Sequence, residues 1–448
     1  MRGRVLVGIG AAAIAAAILL FGGILSSSKA TTPLAAAIAS ARAGTTKQDV
    51  LTSLLAGFAT GNTAAYVGKL ERRIATNPQD ADALTLLGLS YQQRGREAGD
   101  PTFYKLSGEA LQRAANAGGR AALITQGRAS LANTRHRFGD GLRLAHDSIR
   151  LDPNSGSAFG ALGDALLNLG RYPEAFRAYD HMAVIAPSVA SYTRVANARE
   201  LRGQPAAAAV ADKLVLAIDS TVPEHVAWTT VQLGNIEFNQ GHVDAAARWY
   251  RNSLRRLPGY VHGEAGLARV DAAEGRYRSA VARLRRVVDM LPVPAYVILL
   301  GDILERSGHA SEARHEYALV GAIERLFATN GVRTELQTAV FDLDHNRNIV
   351  DALARARTAY ASAPGIYAED ALAWGLFRAG RCDRARAHSA HALRLGTLDA
   401  LLIFHRGMIE RCLGAPSASA WFQRALALNP NFSFRWAPVA RAAALAGG

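Results

Sequence analysis

The stretch AWTTVQLGNIEFNQGHVDAAARWYRNSLRRLP, residues 227–258, decides the fold, because it predicts two amphipathic helices joined by a tight turn. Gly234 provides a small surface where two helices can approach closely, and Gly241 ends the first helix with the backbone freedom that a C-terminal turn needs. Tyr250 lies on the apolar face of the second helix, which Pro258 ends. The stretch therefore predicts a helical hairpin whose interior is filled by Tyr250.

The same pattern recurs along the chain at close to twice the ~34-residue period of a common helical repeat. Gly301 lies 67 residues after Gly234, and Gly163 lies 71 residues before it. Other units keep the order of turn glycine, small residue, large apolar residue and, in two of them, proline: Gly170, Ala175, Tyr179 and Pro187; Gly275, Ala280, Leu284 and Pro292; Gly308, Ala313 and Tyr317. At these residues the chain resembles the tetratricopeptide repeat (TPR) family over most of residues 47–432.

This resemblance implies an all-α fold, a right-handed α-solenoid of about eleven TPR-like helical hairpins, in which each unit contacts only its neighbours. The second unit contains extra residues Arg96–Gly99, so its second helix is expected over Pro101–Ala117. The second helix of the eighth unit is expected to continue to Gly331. Residues 433–448 are expected to form a capping helix, since the last face of a stack must be covered.

Composition favours one elongated body over the two or three ordinary domains that 448 residues could form. Half of the residues are hydrophobic and 20% are charged, as expected for helices that bury small-residue faces. The net charge of +14, mostly from Arg, favours anionic partners such as lipid head groups or acidic peptides. A solvated helix surface explains the same Arg content, and nucleic acid is not expected, because the Arg residues are spread along the repeats. The Ala-rich and Arg-rich composition is typical of a GC-rich bacterial genome.

Residues 1–30 differ from the rest of the chain and are expected to form a signal anchor, an N-terminal hydrophobic helix. Val5–Leu25 is a run of 21 residues without a charge, long enough to span a bilayer. Arg2 and Arg4 precede it, which by the positive-inside rule keeps the N-terminus cytoplasmic and the solenoid extracytoplasmic. The alternative is cleavage near Ala30, which would release a secreted protein. Residues 31–46 are expected to be a tether.

Two clusters imitate metal sites, but neither has a complete ligand set. Asp342, Asp344 and Asn346 match the first ligands of a calcium loop, whereas the Gly and Glu that such a loop needs further on are missing. His388 and His391 lie on one helical face, but the four ligands of a zinc site are missing. Phosphate-loop and nucleophile motifs are missing too, so neither a cofactor nor an enzymatic activity is expected.

The chain contains two cysteines, Cys382 and Cys412, near the turns of the tenth and eleventh units. Equivalent positions in neighbouring repeats lie side by side, so the pair could form a disulfide in an oxidising compartment. Two separate buried thiols would fit the sequence equally well.

The resemblance implies that the first helices of the units line a concave groove that holds a peptide or a partner helix. Asn235 and Asn239 could bind a peptide backbone, and their joint replacement by Ala is expected to weaken a partner without changing the melting temperature. The Arg side chains suit carboxylates, and the Trp side chains give flat apolar contact area. The groove positions carried over from the family are Trp228, Val231, Asn235, Asn239, His262, Arg269, Ile298, Asp302, Arg306, Tyr367, Asp370, Trp374 and Arg378.

Overall fold

A computed structural model describes residues 62–218 and 222–445, and all of the regular structure in these ranges is α-helical. The predicted signal anchor at residues 1–30, the tether at residues 31–46 and the first helix of the first repeat lie outside the described residues. None of the helices within the described ranges is both long and apolar enough to cross a membrane.

The described part of the chain contains 22 helices. In chain order they are α1 (Thr63–Thr76), α2 (Ala81–Ala98), α3 (Thr102–Asn116), α4 (Ala121–Thr134), α5 (Phe138–Leu151), α6 (Gly156–Asn168), α7 (Tyr172–Ile185), α8 (Val189–Leu201), α9 (Pro205–Ile218), α10 (Pro223–Asn239), α11 (Val243–Arg256), α12 (Val261–Ala273), α13 (Tyr277–Met290), α14 (Pro294–Arg306), α15 (Ala310–Thr329), α16 (Glu335–Asp344), α17 (Ile349–Ser362), α18 (Ile366–Arg378), α19 (Cys382–Ala392), α20 (Ala400–Cys412), α21 (Ala418–Leu428) and α22 (Ala437–Leu445).

These helices form ten complete hairpins, from α2–α3 to α20–α21, flanked by α1 and α22. Helix α1 is the second helix of the first predicted repeat. The extra residues of the second unit lengthen α2 by one turn to Ala98, and α15 extends to Thr329 before a turn at Gly331. The all-α solenoid of hairpins predicted from the sequence is therefore confirmed over the described ranges.

In three of the hairpins, a glycine that faces a tyrosine ring allows the two helices to approach each other closely. A Cβ atom added to Gly234 would lie 2.5 Å from the Tyr250 ring, and one added to Gly266 in the next hairpin would lie equally close to the same ring. The same arrangement places Gly163 against Tyr179 and Gly301 against Tyr317. Tyr250 is fully buried, so its ring fills the space that the two glycines leave.

The hairpins wind into a superhelix whose successive turns touch. Five hydrogen bonds join residues that are between 191 and 198 positions apart. They run from Nδ1–H of His136 to the carbonyl of Arg333 (2.6 Å), N–H of Arg333 to the carbonyl of Arg135 (3.2 Å), N–H of Ile366 to the hydroxyl of Tyr172 (2.7 Å), the hydroxyl of Thr397 to the carbonyl of Leu201 (2.5 Å), and the amide of Asn429 to the carbonyl of Phe238 (2.9 Å). We call this line of contacts the seam.

The seam follows a regular rule. The turn inside each of four consecutive hairpins, from α4–α5 to α10–α11, meets a loop that follows a hairpin five units later. Three of these four turns contain a glycine, whereas the α4–α5 turn has His136 at a φ of 56°. At Gly203 the φ of 67° is in the left-handed region, and a Cβ would lie 2.3 Å from the carbonyl oxygen of Gly396. By contrast, a Cβ on Gly308 or Gly380 would meet nothing within 4 Å.

The seam corrects one expectation. The prediction that each repeat contacts only its neighbours is wrong, because residues almost two hundred positions apart are hydrogen-bonded and packed. The physical reason is the small pitch of the superhelix, which brings the chain back over itself after five to six hairpins.

Candidate functional site

The first helices of the hairpins form the inner, concave face. First helices of successive hairpins contact one another, as α4 does with α6, α10 with α12 and α16 with α18. In the described ranges, second helices of successive hairpins make no comparable contacts. The first helices therefore lie nearer the superhelix axis. Those of their side chains that face the axis line the concave face.

On this face, each of three hairpins carries the same hydrogen bond. A tyrosine hydroxyl of the second helix donates to a polar side chain of the first helix that lies 15 residues earlier. The three pairs are Tyr179 with Asp164 (3.0 Å), Tyr250 with Asn235 (2.9 Å) and Tyr317 with Asp302 (2.8 Å). Since the tyrosine rings are buried, these bonds satisfy hydroxyl groups that would otherwise be costly to enclose.

A basic side chain of the following hairpin completes each of these arrangements. Arg269 donates to Oδ1 of Asn235 at 3.2 Å and to Oδ1 of Asn239 at 3.4 Å, and its guanidinium lies 4.1 Å from the ring centroid of Phe238. The corresponding pairs are Arg194 with Asp164, at 2.8 and 2.7 Å, and His345 with Asp302, at 3.0 Å. The concave face thus carries polar side chains that link one repeat to the next.

Five of the thirteen predicted groove residues are buried between helices. These are Trp228, Val231, Ile298, Asp370 and Trp374, none of them more than 9% exposed. The Trp374 ring stacks on His405 with 4.1 Å between centroids, and its indole N–H donates to Asp344. In this conformation the apolar area of Trp374 is therefore used for packing between repeats, and a partner role for these five residues stays a prediction.

Asn239 and Arg306 are exposed. The other six predicted groove residues are partly buried: Asn235, His262, Arg269, Asp302, Tyr367 and Arg378. Burial lowers the pKa of His262 to about 4, and its Nδ1 lies 2.6 Å from the hydroxyl of Tyr296, so it is a neutral hydrogen-bonding group near pH 7. The structure brings Asn235, Asn239 and Arg269 together on two consecutive hairpins.

The concave face also holds a segment of the chain itself. Residues Phe432–Trp436, between α21 and α22, contact the first helices α14, α16 and α18. Arg435 forms ion pairs with Glu305 and, at 3.7 Å, with Asp302, both on α14. Trp436 donates its indole N–H to Oδ1 of Asp344 at 3.1 Å. Residues 433–436 of this segment were expected to form part of the capping helix.

The helix near the C-terminus begins later than expected, at Ala437 instead of residue 433. It packs against α21 through Ala440 and Ala443, both buried. Pro438 marks this start, because proline is favoured in the first turn of a helix, and this signal could have separated residues 432–436 from the helix in advance.

A cavity of about 90 Å³ lies at the seam, between the α6–α7 and α17–α18 connections. Apolar side chains such as Leu167, Leu201 and Leu336 line much of it. Asn197, which is 3% exposed, and Gln337, whose Oε1 is buried without a partner within the described residues, add polar groups. Its wall is formed by both turns of the superhelix, so its shape depends on their contact.

Cys382, at the start of α19, and Cys412, at the end of α20, form a disulfide with 6.2 Å between Cα atoms. The bond connects the last two hairpins.

The two candidate metal clusters have other roles: Asp344 accepts hydrogen bonds from two tryptophans, and His388 and His391 both face the buried carboxylate of Glu369. The described residues contain no group of three or more potential ligands arranged to hold a metal ion.

Comparison with known proteins gives a match to one repeat family. The model of the tetratricopeptide repeat matches residues 124–190 and 265–325, which lie in α4–α8 and α12–α15. A comparison with curated protein sequences found no match.

The solved structures similar to this chain include TPR proteins of low sequence identity. Human IFIT1 is 14% identical, with 86% of this chain and 91% of that chain covered and a TM-score of 0.44. The type IV pilus biogenesis factor PilW is 18% identical, with 46% and 94% covered and a TM-score of 0.37. PilF of Pseudomonas aeruginosa is 15% identical, with 48% and 95% covered and a TM-score of 0.35. At these scores the likeness carries no information about function.

The family match and the glycine–tyrosine hairpins that repeat through the described ranges agree with each other. Residues 124–190 and 265–325 are therefore tetratricopeptide repeats, and the hairpin of Gly234 and Tyr250 between them is built in the same way.

Proposed function

We propose that this TPR protein is a protein-interaction scaffold that binds a peptide or a partner helix on its concave face. The observation that carries the proposal is the cluster of Asn235, Asn239 and Arg269 on α10 and α12. Asn239 is exposed, and its amide nitrogen has no partner among the described residues. Side-chain amides at this spacing can donate to and accept from a peptide backbone, and Arg269 adds a cation for a carboxylate.

The test is site-specific photocrosslinking in the native host. A photoreactive amino acid replaces Asn239 on the concave face or, as a matched control, Arg248, which is exposed on the second helix of the same hairpin. We expect protein adducts from position 239 and few from position 248. Adducts from position 248 alone would contradict a concave binding face.

A second candidate function is electrostatic binding of an anionic polymer or membrane surface. It is favoured by exposed arginines on two consecutive second helices, α11 and α13: Arg248, Arg251, Arg255, Arg278 and Arg286. None of these five forms an ion pair with a carboxylate within the described residues. Retention on a heparin column that falls steeply with salt, and that Arg251→Gln with Arg255→Gln reduces, would support this function over the first.

We also propose that the solenoid works outside the cytoplasm. The Cys382–Cys412 disulfide supports this location, because such bonds persist in oxidising compartments. A reporter fused to the C-terminus that is active only when exported would test it. Activity of a cytoplasm-dependent reporter at the same position would count against it.

A further inference from the structure

We propose that the concave surface around Asp302, Glu305 and Asp344 binds a peptide in which an arginine is flanked by aromatic residues, and that Phe434-Arg435-Trp436 of this chain occupies that surface until such a peptide displaces it. The inference rests on the proposed scaffold function, whose partner class it specifies. The occupant seen on the surface is an internal segment with this chemistry.

The acidic part of the surface can bind an arginine and can also lose one. Asp302 accepts hydrogen bonds from the Tyr317 hydroxyl at 2.8 Å and from Nε2 of His345 at 3.0 Å, independently of Arg435. Glu305 lies 3.1 Å from the same Tyr317 hydroxyl, whose single proton is directed to Asp302 at the shorter distance, and its side chain is 44% exposed. Removal of Arg435 therefore leaves Asp302 hydrogen-bonded and Glu305 accessible to water, and another guanidinium can take its place.

The aromatic part of the surface is built by two other hairpins. The Trp436 ring meets Trp374 edge-on, with 5.5 Å between centroids, and lies 5.6 Å from Phe404. Asp344 already accepts from the indole N–H of Trp374, and Arg378 lies 5.9 Å from the Trp436 ring centroid. An aromatic side chain with an N–H group fits this place in both shape and hydrogen bonding.

Phe434 occupies the space between two hydrophobic clusters. It packs against the cluster that contains Phe238 and Tyr250 and also against the cluster that contains Tyr317 and Phe341. The first cluster includes residues of α10, α11 and α12, and the second includes residues of α12 to α16. The segment thus crosses the concave face of several repeats, as a bound peptide would.

The segment is held at both ends but lacks regular structure of its own. Helix α21 ends at Leu428 and α22 begins at Ala437, and residues 429–436 between them form turns. Attachment to the chain gives the segment a high effective concentration at the surface. A free peptide therefore has to compete with it, and its apparent affinity is reduced by the fraction of molecules in which the surface is open.

The experiment measures binding of a fluorescein-labelled peptide, PNFSFRWAP, which has the sequence of residues 430–438. Fluorescence anisotropy compares the full chain with the Arg435→Ala variant, in which the internal competitor is weakened. We expect the variant to bind the peptide at least about tenfold more tightly than the wild type. Adding Asp302→Asn and Glu305→Gln to Arg435→Ala should abolish this gain, and a peptide with Glu in place of Arg should bind neither protein.

Arg424→Ala is the matched control variant. Arg424 is exposed on α21 and lies 5.4 Å from the Trp421 ring centroid, so the change removes one arginine near a tryptophan without touching α14 or α16. Its peptide affinity should equal that of the wild type. Circular dichroism and thermal melting establish that each variant is folded, and Phe434→Ala replaces Arg435→Ala if the latter is not.

A folded Arg435→Ala or Phe434→Ala variant that binds the peptide no more tightly than the wild type overturns the inference. Unchanged binding by the triple variant does so as well. The proposed scaffold function is tested separately, by crosslinking at position 239. If a partner crosslinks there but the peptide does not bind, the scaffold function is supported and only the proposed partner class is excluded.

Discussion

The hydroxyl of Tyr172 accepts a hydrogen bond from the backbone N–H of Ile366 at 2.7 Å, although 194 residues separate them. Tyr172 begins α7 and Ile366 begins α18, so the bond connects successive turns of the superhelix. The Tyr172 side chain is buried, and burial raises the pKa of its hydroxyl to about 12, so it remains protonated over the working range of pH.

Tyr172→Phe removes this acceptor and leaves the N–H of Ile366 buried without a partner. We expect a loss of about 1–3 kcal/mol in the free energy of unfolding. Hydrogen exchange should become faster around residue 366. Tyr277→Phe is the control, because Tyr277 begins α13 at the equivalent position of a hairpin outside the seam. Equal effects of the two changes would mean that the seam does not contribute to stability.

Tyr250→Ala should lower the free energy of unfolding by about 3–5 kcal/mol, because it leaves an aromatic-sized void between Gly234 and Gly266. Tyr250→Phe keeps the ring and removes only the hydrogen bond to Asn235, so its cost should be about 0.5–1.5 kcal/mol. Chemical denaturation of both variants measures the difference. An unchanged free energy of unfolding for Tyr250→Ala would show that the helices do not enclose this ring.

Replacing Asn239 and Asn235 separates binding from stability. Asn239→Ala should weaken a concave partner while the melting temperature stays unchanged, since Asn239 is exposed. Asn235→Ala should lower the melting temperature, because its Oδ1 accepts from both Tyr250 and Arg269. The expectation that the double variant melts like the wild type is therefore revised. Partner pull-down and thermal melting on each single variant provide the check.

The Cys382–Cys412 disulfide closes a loop with a sequence separation of 30 residues. Chain entropy then predicts that Cys382→Ser with Cys412→Ser costs about 3–4 kcal/mol, with the effect centred on α18–α21. Thermal melting with and without reductant measures it: reductant should lower the melting temperature of the wild type and leave the double variant unchanged. A thiol assay on the denatured, unreduced protein should find no free thiol.

Glu200 should make the protein less stable as the pH rises. Burial raises the pKa of Glu200 from its ordinary value of 4.5 to about 7, and burial together with Glu200 raises the pKa of nearby Asp212. Between about pH 4.5 and 7 the folded protein keeps a proton that the unfolded chain releases, so this contribution to stability falls across that window. Glu200→Gln should remove this fall, and its melting temperature should exceed that of the wild type most at pH 8.

Glu109→Gln is the control for the pH experiment, because Glu109 is an exposed carboxylate on α3. Its melting temperature should follow that of the wild type between pH 5 and pH 8. A Glu200→Gln variant that follows the wild type over the same interval would show that Glu200 is charged in the folded protein.

The hairpins could be predicted from the sequence because their determinants are local. Gly234 and Tyr250 are 16 positions apart, and the periodicity of two short helices is enough to place them face to face. The seam could not be predicted in this way. It depends on the pitch of the superhelix, which is the sum of small rotations between five or six hairpins, and no single residue encodes that sum.

The concave face was predictable in part. Asn239 and Arg306 are exposed as the family pattern implies, whereas Trp228 and Trp374 pack between helices. The pattern assigns positions in an isolated repeat, and here the tight winding brings successive first helices into contact at those positions. The sequence also could not predict that Arg435 occupies the concave face, because residues 302 and 435 come together only in the complete superhelix.

The seam also determines how this protein responds to a pulling force along the superhelix axis. Bonds between successive turns, such as those of Thr397 with Leu201 and Asn429 with Phe238, bear the load before any hairpin does. Once they yield, the solenoid lengthens as an elastic coil with its hairpins intact, and the same bonds can form again when the load is removed. The molecule is therefore stiff at small extensions and compliant beyond them.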